Sequence, residues 1–107
     1  MIKNLNESEK ETVVKYIGQL YRDNKKRTEI LNHNSISEDK SSYTPDSDLI
    51  RIVDITLDDC SIDTQLIIRN EYLKAKNRHW YQEYYSPSTY YRLRKEAIKE
   101  FLKGLFF

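Results

Sequence analysis

The chain has 107 residues, of which 38% are hydrophobic and 33% are charged, and its formal net charge is +1. This length and composition predict one folded domain that is too small for a large enzyme cleft. No apolar run approaches the roughly 20 residues that a membrane-spanning helix needs, and residues 1–7 lack the apolar core of a signal peptide. We therefore expect a soluble cytoplasmic protein with no membrane partner.

The residues that build catalytic and cofactor sites are scarce. Cys60 is the only cysteine, and His33 and His79 are the only histidines, so no metal-ligand cluster of recognisable spacing is present. The two glycines are too few for a glycine-rich phosphate or dinucleotide loop. We predict that the chain is not an enzyme and that it uses no cofactor and no metal ion.

Charge is segregated along the chain although the total is nearly balanced. Lys and Arg exceed Asp and Glu by two in residues 1–34 and by five in residues 69–107, whereas residues 35–68 have an acidic excess of six. A basic C-terminal segment is what contact with nucleic-acid phosphates requires, because neutralising phosphates releases condensed counterions. An ordinary solvated helix face is the alternative explanation.

The N-terminal part of the domain, residues 1–60, is predicted to contain two helices separated by a polar loop. Residues 8–31 have the apolar spacing of a helix, and their stripe fits either a core or a dimer seam. Residues 32–46 are rich in Ser, Asn and Asp and form the loop. A second helix is expected to run to residue 57, although its β-branched residues leave a strand open. The expected N-caps are Asn6 or Ser8 for the first helix and Asp46 or Ser47 for the second.

The C-terminal part, residues 61–107, is predicted to form a helix-turn-helix unit. Helical spacing indicates a helix over residues 61–74, a short one over 77–84 and a last one over 87–103, ended by Gly104 as a left-handed cap. In this arrangement the helix over 77–84 crosses the DNA backbone and the last helix enters the major groove. The predicted fold class is therefore all-α: a small bundle of about five helices with a C-terminal helix-turn-helix.

The last predicted helix has two distinct faces. Ser86 fits its N-cap, and Pro87 fits the first helical position, where the missing N–H is not needed. One face is apolar and is widened by Ile98 and Leu102, and the residues of its stripe are expected to be buried: Tyr90, Leu93, Ala97 and Phe101. The opposite face is polar: Ser88, Tyr91, Arg92, Lys95 and Lys99. Two hydroxyls followed by cations are groups with which a helix in the major groove contacts base edges and phosphates.

The same segment resembles the recognition helices of known DNA-binding families. The apolar spacing is similar to that of the last helix of region 4 in bacterial sigma factors, at Tyr90, Leu93, Ala97, Ile98 and Phe101. Residues 86–92, followed by Lys95-Glu96-Ala97 and Phe101, resemble the C-terminus of the ArpU-type phage late transcriptional regulators. The context of Trp80 and Tyr84-Tyr85-Ser86 is similar to that of small uncharacterised mollicute proteins with the same ending. The resemblance covers roughly residues 61–103.

The resemblance implies roles for individual side chains. In sigma-like relatives the second, fifth and sixth positions of the recognition helix touch bases, which implies base contacts by Ser88, Tyr91 and Arg92. The basic residues Arg94, Lys95 and Lys99 are expected on phosphates, with Arg78 ahead of the turn as a further DNA contact. The predicted function is thus a DNA-binding transcriptional regulator. Its expected partner is double-stranded DNA, with RNA polymerase and a second copy of the chain as the other candidates.

A non-enzymatic interaction module that binds RNA polymerase or another protein is the alternative function. Five tyrosines and three arginines between residues 78 and 94 could form a surface of the kind that stacks single-stranded bases or docks a protein. Lys and Arg clustered on one face of the last helix favour DNA, whereas an aromatic, uncharged exposed patch around Trp80 and Phe107 would favour this alternative.

Overall fold

A computed structural model describes residues 5–34 and 45–106 of the chain. All regular structure in these two ranges is helical and none of it is β-strand, so the all-α prediction is confirmed. The described ranges contain four α-helices rather than about five. They are α1 (Glu7–Asn34), α2 (Pro45–Asp58), α3 (Ile62–Ile67) and α4 (Pro87–Phe106), with a π-helical segment (Ile68–Leu73) directly after α3 and one 3₁₀ turn (Trp80–Glu83) before α4.

Helix α1 is longer than the predicted range 8–31 and begins with a reciprocal cap. The Asn6 side chain accepts a hydrogen bond from the Glu9 N–H (2.8 Å), and the Glu9 carboxylate accepts one from the Asn6 N–H (2.9 Å). Asn6 is therefore the N-cap, and this exchange satisfies two backbone donors at the helix start. Over residues 7–27 of α1, the buried side chains lie on one face: Val14, Ile17, Tyr21 and Asn24.

Residues 47–57, whose β-branched side chains would also suit a strand, are part of helix α2. Val53 and Leu57, one helical turn apart, are fully buried in the core. A spacing of four residues places both side chains on the same face of a helix. The predicted caps Asp46 and Ser47 are wrong, because α2 already begins at Pro45, a residue that suits the first helical position. Of the predicted loop, residues 35–44 lie outside the described residues.

The predicted helix over residues 61–74 begins as an α-helix and ends as a π-helix. Ser61 is the N-cap of α3, and its hydroxyl accepts from the Thr64 N–H (3.3 Å). The wider turn that follows is seen in the bond from the Lys74 N–H to the Arg69 carbonyl (2.7 Å), five residues back. Arg22 of α1 donates to the backbone carbonyl of Tyr72, so the π-helical segment is tied to α1 by a side chain.

The predicted helix over residues 77–84 is wrong, because only the single 3₁₀ turn Trp80–Glu83 forms there. Ala75 has a φ of 50°, which ends the preceding segment, and Ser86 caps the next helix. The Gln82 N–H donates to the His79 carbonyl (3.1 Å) and the Tyr84 N–H to the Tyr81 carbonyl (2.8 Å), three residues back in each case, which is the 3₁₀ pattern. The connection instead folds onto α4 through its aromatic side chains.

Helix α4 lies against all three other helices. Tyr90, Ala97 and Phe101 are buried as predicted, together with Ile98 and Leu102, whereas Leu93 is only half-buried. The predicted left-handed cap at Gly104 is wrong: Gly104 lies within the helix, which continues to Phe106. A Cβ atom at Gly104 would lie 3.1 Å from Cγ2 of Thr56, so this glycine allows α2 to approach α4 closely.

Candidate nucleic-acid interface

The start of α4 is fixed by its cap. The Ser86 hydroxyl accepts from the Thr89 N–H (3.3 Å), and the Ser86 carbonyl accepts from the Tyr90 N–H (2.8 Å). Pro87 is the first helical residue, as predicted. The first turn of α4 therefore has a defined direction, and the side chains that follow it project from a rigid element.

Five of the seven predicted DNA-binding residues lie together on the exposed side of α4. Their side chains are all exposed: Ser88, Tyr91, Arg92, Lys95 and Lys99. Lys103 continues the same side one turn further and is also exposed, although it was not among the predicted contacts. Among the described residues, the side chains of Arg92, Lys99 and Lys103 form no ion pair. We call Arg92, Lys95, Lys99 and Lys103 the cationic stripe.

Arg94, a predicted phosphate contact, lies apart from the cationic stripe. Its side chain is half-buried and pairs with the Glu11 carboxylate of α1 (3.6 Å). Its guanidinium also lies 5.7 Å from the ring centre of Tyr90 and 5.1 Å from that of Tyr91. These contacts direct the Arg94 guanidinium toward α1 and the two tyrosine rings rather than along the cationic stripe.

An aromatic cluster supports the N-terminal half of α4 from behind. The rings of Tyr81 and Tyr90 are stacked in parallel with centres 4.0 Å apart, and Trp80 meets Tyr90 edge to face at 5.7 Å. Both Trp80 Nε1 and the Tyr90 hydroxyl donate to one oxygen of Glu71, at 2.7 and 2.5 Å. Burial, reinforced by this bond to Glu71, raises the pKa of the Tyr90 hydroxyl. These contacts hold the 3₁₀ turn against α4.

Glu71 was not among the site residues predicted from the sequence. It lies in the π-helical segment, 9 and 19 positions from the two donors, and no local spacing links it to them. Trp80 is buried, so its own ring is not part of an exposed aromatic patch, and Phe107 lies outside the described residues. The exposed aromatic rings in this region are Tyr84 and Tyr91, which are 55% and 48% exposed.

Arg78, the seventh predicted contact, is exposed in the connection over residues 74–79. Lys74 and Lys76 are exposed in the same stretch, which contains no acidic residue. The 3₁₀ turn that follows brings the Tyr81 ring to 6.2 Å from the Tyr91 ring of α4. The connection is therefore a second basic element, joined through the aromatic cluster to the end of α4 that contains Ser88 and Tyr91.

Lys95 has an acidic neighbour within the protein. Its Nζ atom lies 3.6 Å from Oε1 of Glu7, in the first turn of α1, and both side chains are more than half exposed. A groove between the start of α1 and the middle of α4 is lined by both residues, together with Ser8, Lys10, Glu11, Arg94, Ile98 and Lys99. The cationic stripe thus has an acidic border on the side of α1.

In the described ranges, no group of three or more His, Cys, Asp or Glu side chains has the arrangement of a metal site. None of the described helices is long and apolar enough to cross a lipid bilayer. No protein-family model matches the chain, and no curated protein or solved structure is significantly similar to it.

Proposed function

We propose that this chain is a transcriptional regulator that binds double-stranded DNA through the exposed side of α4, in the manner of the sigma region 4 and ArpU-type helix-turn-helix. The observation that supports the proposal is the cationic stripe, which follows two exposed hydroxyl side chains on one side of a capped helix. From Arg92 to Lys103 the stripe is about 16 Å long, somewhat more than the roughly 12 Å width of the major groove. One helix can therefore contact bases at one end and phosphates at the other.

The residues have different roles in this proposal. Ser88, Tyr91 and Arg92, near the start of α4, contact base edges, because this end enters the groove. Lys95, Lys99 and Lys103 contact phosphates at the groove edge. Arg78, in the basic connection before α4, contacts the adjacent backbone of the duplex. Arg94 supports the Tyr91 ring rather than contacting DNA.

In this proposal, helix α3 and its π-helical continuation take the place of the helix predicted over residues 77–84, the one that precedes the recognition helix. They hold α4 at two points, through the Tyr90 bond to Glu71 and through a 2.6 Å bond from the Thr64 hydroxyl to Glu100. The connection between them, with its 3₁₀ turn, is longer than the turn of common helix-turn-helix units. We therefore expect the flanking basic connection to contribute more of the phosphate contact than a short turn does.

A gel-shift experiment with pooled random duplexes at two salt concentrations tests the proposal. Arg92→Ala is expected to cost about 1–3 kcal/mol on the preferred sequence and to relax discrimination there. Lys99→Ala is expected to weaken all sequences alike and to lower the salt slope by about one. Lys26→Ala, which removes an exposed cation of α1, is the matched control and should change neither quantity. A protein that shifts no duplex at low salt contradicts the proposal.

An interaction module remains the second candidate function. The observation in its favour is the pair of half-exposed rings of Tyr84 and Tyr91, the latter beside the Arg94 guanidinium, since Tyr and Arg are enriched at protein-interface hot spots. Purified protein that binds RNA polymerase but no duplex, and loses that binding in Tyr91→Ala, would replace the DNA proposal with this one. A second copy of the chain is the other partner to examine, by measuring the mass in solution.

A further inference from the structure

The first turn of α1 places a carboxylate beside the middle of the cationic stripe. Glu7 approaches Lys95 to 3.6 Å, and the exposed fractions of the two side chains are 58% and 61%. An ion pair this exposed is weak, because water and salt screen it and both long side chains lose freedom in forming it. The pair can therefore open without disturbing the fold.

The neighbouring pair of Glu11 and Arg94 has a different character. Their separation is also 3.6 Å, but the side chains are only 27% and 26% exposed. Glu11 additionally accepts a bond from the Tyr72 hydroxyl (3.0 Å), and Arg94 lies over two tyrosine rings. Opening this pair would unpair several groups at once, so Glu11 is part of the packing between α1 and α4. Of the two acids, only Glu7 is free to exchange its partner.

We infer that Glu7 lowers the DNA affinity of α4 by competing with a phosphate for Lys95. The inference rests on the proposed function, since it needs the cationic stripe to face DNA. In the free protein the carboxylate neutralises Lys95. In the complex a phosphate displaces it, and Glu7 is left as an uncompensated negative charge close to the duplex.

This arrangement has a measurable signature in salt dependence. Each Lys or Arg that neutralises a phosphate adds roughly 0.9 to the slope of log affinity against log salt. A lysine already paired within the protein contributes less than this, because its own pair must first open. Removing the Glu7 carboxylate should therefore raise both the DNA affinity and the salt slope. Removing an acid elsewhere changes the net charge and so the affinity, but it does not free Lys95 for a phosphate.

Glu7→Gln tests the inference, with Glu29→Gln as the matched control. Glu29 is an exposed acid of the same helix, about 33 Å away along its axis. At low salt Glu7→Gln should bind duplex about threefold to tenfold more tightly than wild type, with a salt slope higher by up to about one. Glu29→Gln should remain close to wild type. The gain from Glu7→Gln should vanish in a Lys95→Gln background.

The outcomes separate the inference from the function on which it rests. If wild type binds duplex but Glu7→Gln binds no better than Glu29→Gln, the inference is wrong and the proposed function stands. The same conclusion holds if the gain persists in the Lys95→Gln background, because the acid then acts through general charge. If neither wild type nor Glu7→Gln binds duplex, the proposed function and the inference both fail. Thermal unfolding of each variant is measured alongside, because Glu7→Gln should not raise the melting temperature.

Discussion

The backbone carbonyl of Tyr72 occupies the space that a side chain at Gly18 would need. A Cβ atom built on Gly18 would lie 2.5 Å from the Tyr72 oxygen and 3.0 Å from its carbonyl carbon. Both are backbone atoms, so they cannot move aside without shifting the π-helical segment. Of the two described glycines, Gly18 therefore has the closer backbone contact. Its lack of a side chain allows α1 to pack against the π-helical segment.

Gly18→Ala should destabilise the protein even though alanine is the better helix former. The gain of about 1 kcal/mol in helix propensity is outweighed by overpacking, which typically costs about 1–3 kcal/mol and here is directed at backbone. Gly104→Ala is the comparison, because its Cβ would meet only the Thr56 methyl at 3.1 Å. Denaturant unfolding measures both. A stabilised Gly18→Ala variant would show that the two segments are not in this contact.

Ala75→Gly should stabilise the protein. Ala75 has a φ of 50°, a left-handed conformation in which its Cβ is strained and glycine is not. We expect a gain of about 0.5–1 kcal/mol in the free energy of unfolding. Lys74→Gly is the matched control: Lys74 has a φ of −99°, so glycine there relieves no strain and should destabilise. Equal effects at both positions would argue against the left-handed end of this segment.

Glu100→Gln should lower stability in a pH-dependent way. The Glu100 carboxylate accepts hydrogen bonds from the Thr64 and Ser61 hydroxyls and from the Ser61 N–H, and these bonds, that of Thr64 first, hold its pKa below the ordinary value. A depressed folded pKa gives stability that is present above the unfolded pKa, about 4.3, and is lost as the pH falls through the folded value.

The expected loss for Glu100→Gln at neutral pH is about 0.5–2 kcal/mol, the range for losing a helix cap. The difference from wild type should shrink as the pH falls below about 4. Glu96→Gln, an exposed neighbour on the same helix, should show neither effect. A loss at Glu100 that is constant from neutral to acidic pH would indicate that the carboxylate contributes by shape rather than by charge.

Phe101→Ala and Lys95→Ala should differ sharply in their effect on stability. Phe101 is completely buried, so its truncation leaves a cavity and should cost about 3–5 kcal/mol. Lys95 is exposed and its ion pair is weak, so its truncation should change the free energy of unfolding by less than about 0.5 kcal/mol. Urea unfolding of both variants checks the assignment, and similar small losses would mean that α4 is rotated relative to this description.

The features that local chemistry determines were predictable from the sequence. Ser86 and Pro87 define the start of α4 within one turn, and the helical period alone separates buried Phe101 from exposed Tyr91. The 3₁₀ turn was not predictable in the same way. It depends on the bond of Trp80 to Glu71, a contact between separate segments, and on Ala75 adopting a conformation that alanine rarely takes. The π-helical segment has no sequence signal that we recognise.

In the candidate interface, too, the exposure of the side chains was predictable from the sequence, whereas their partners were not. The exposed positions of Arg92, Lys95 and Lys99 follow from helix geometry, whereas the partners of each cation depend on which helix lies alongside. Arg94 is adjacent to Lys95 in sequence but is turned by about 100° toward α1, where Glu11 meets it. Lys103 was overlooked because the helix was expected to end there. DNA binding by this surface stays a prediction.

The burial of Trp80 within the aromatic cluster provides the protein with an optical reporter of its own. It is the only tryptophan in a chain with nine tyrosines, and three tyrosine rings have their centres within 6.2 Å of it. Excitation energy absorbed by these rings passes efficiently to the indole at such separations. Emission from this one residue therefore reports on the packing of the 3₁₀ turn against α4, without any attached dye.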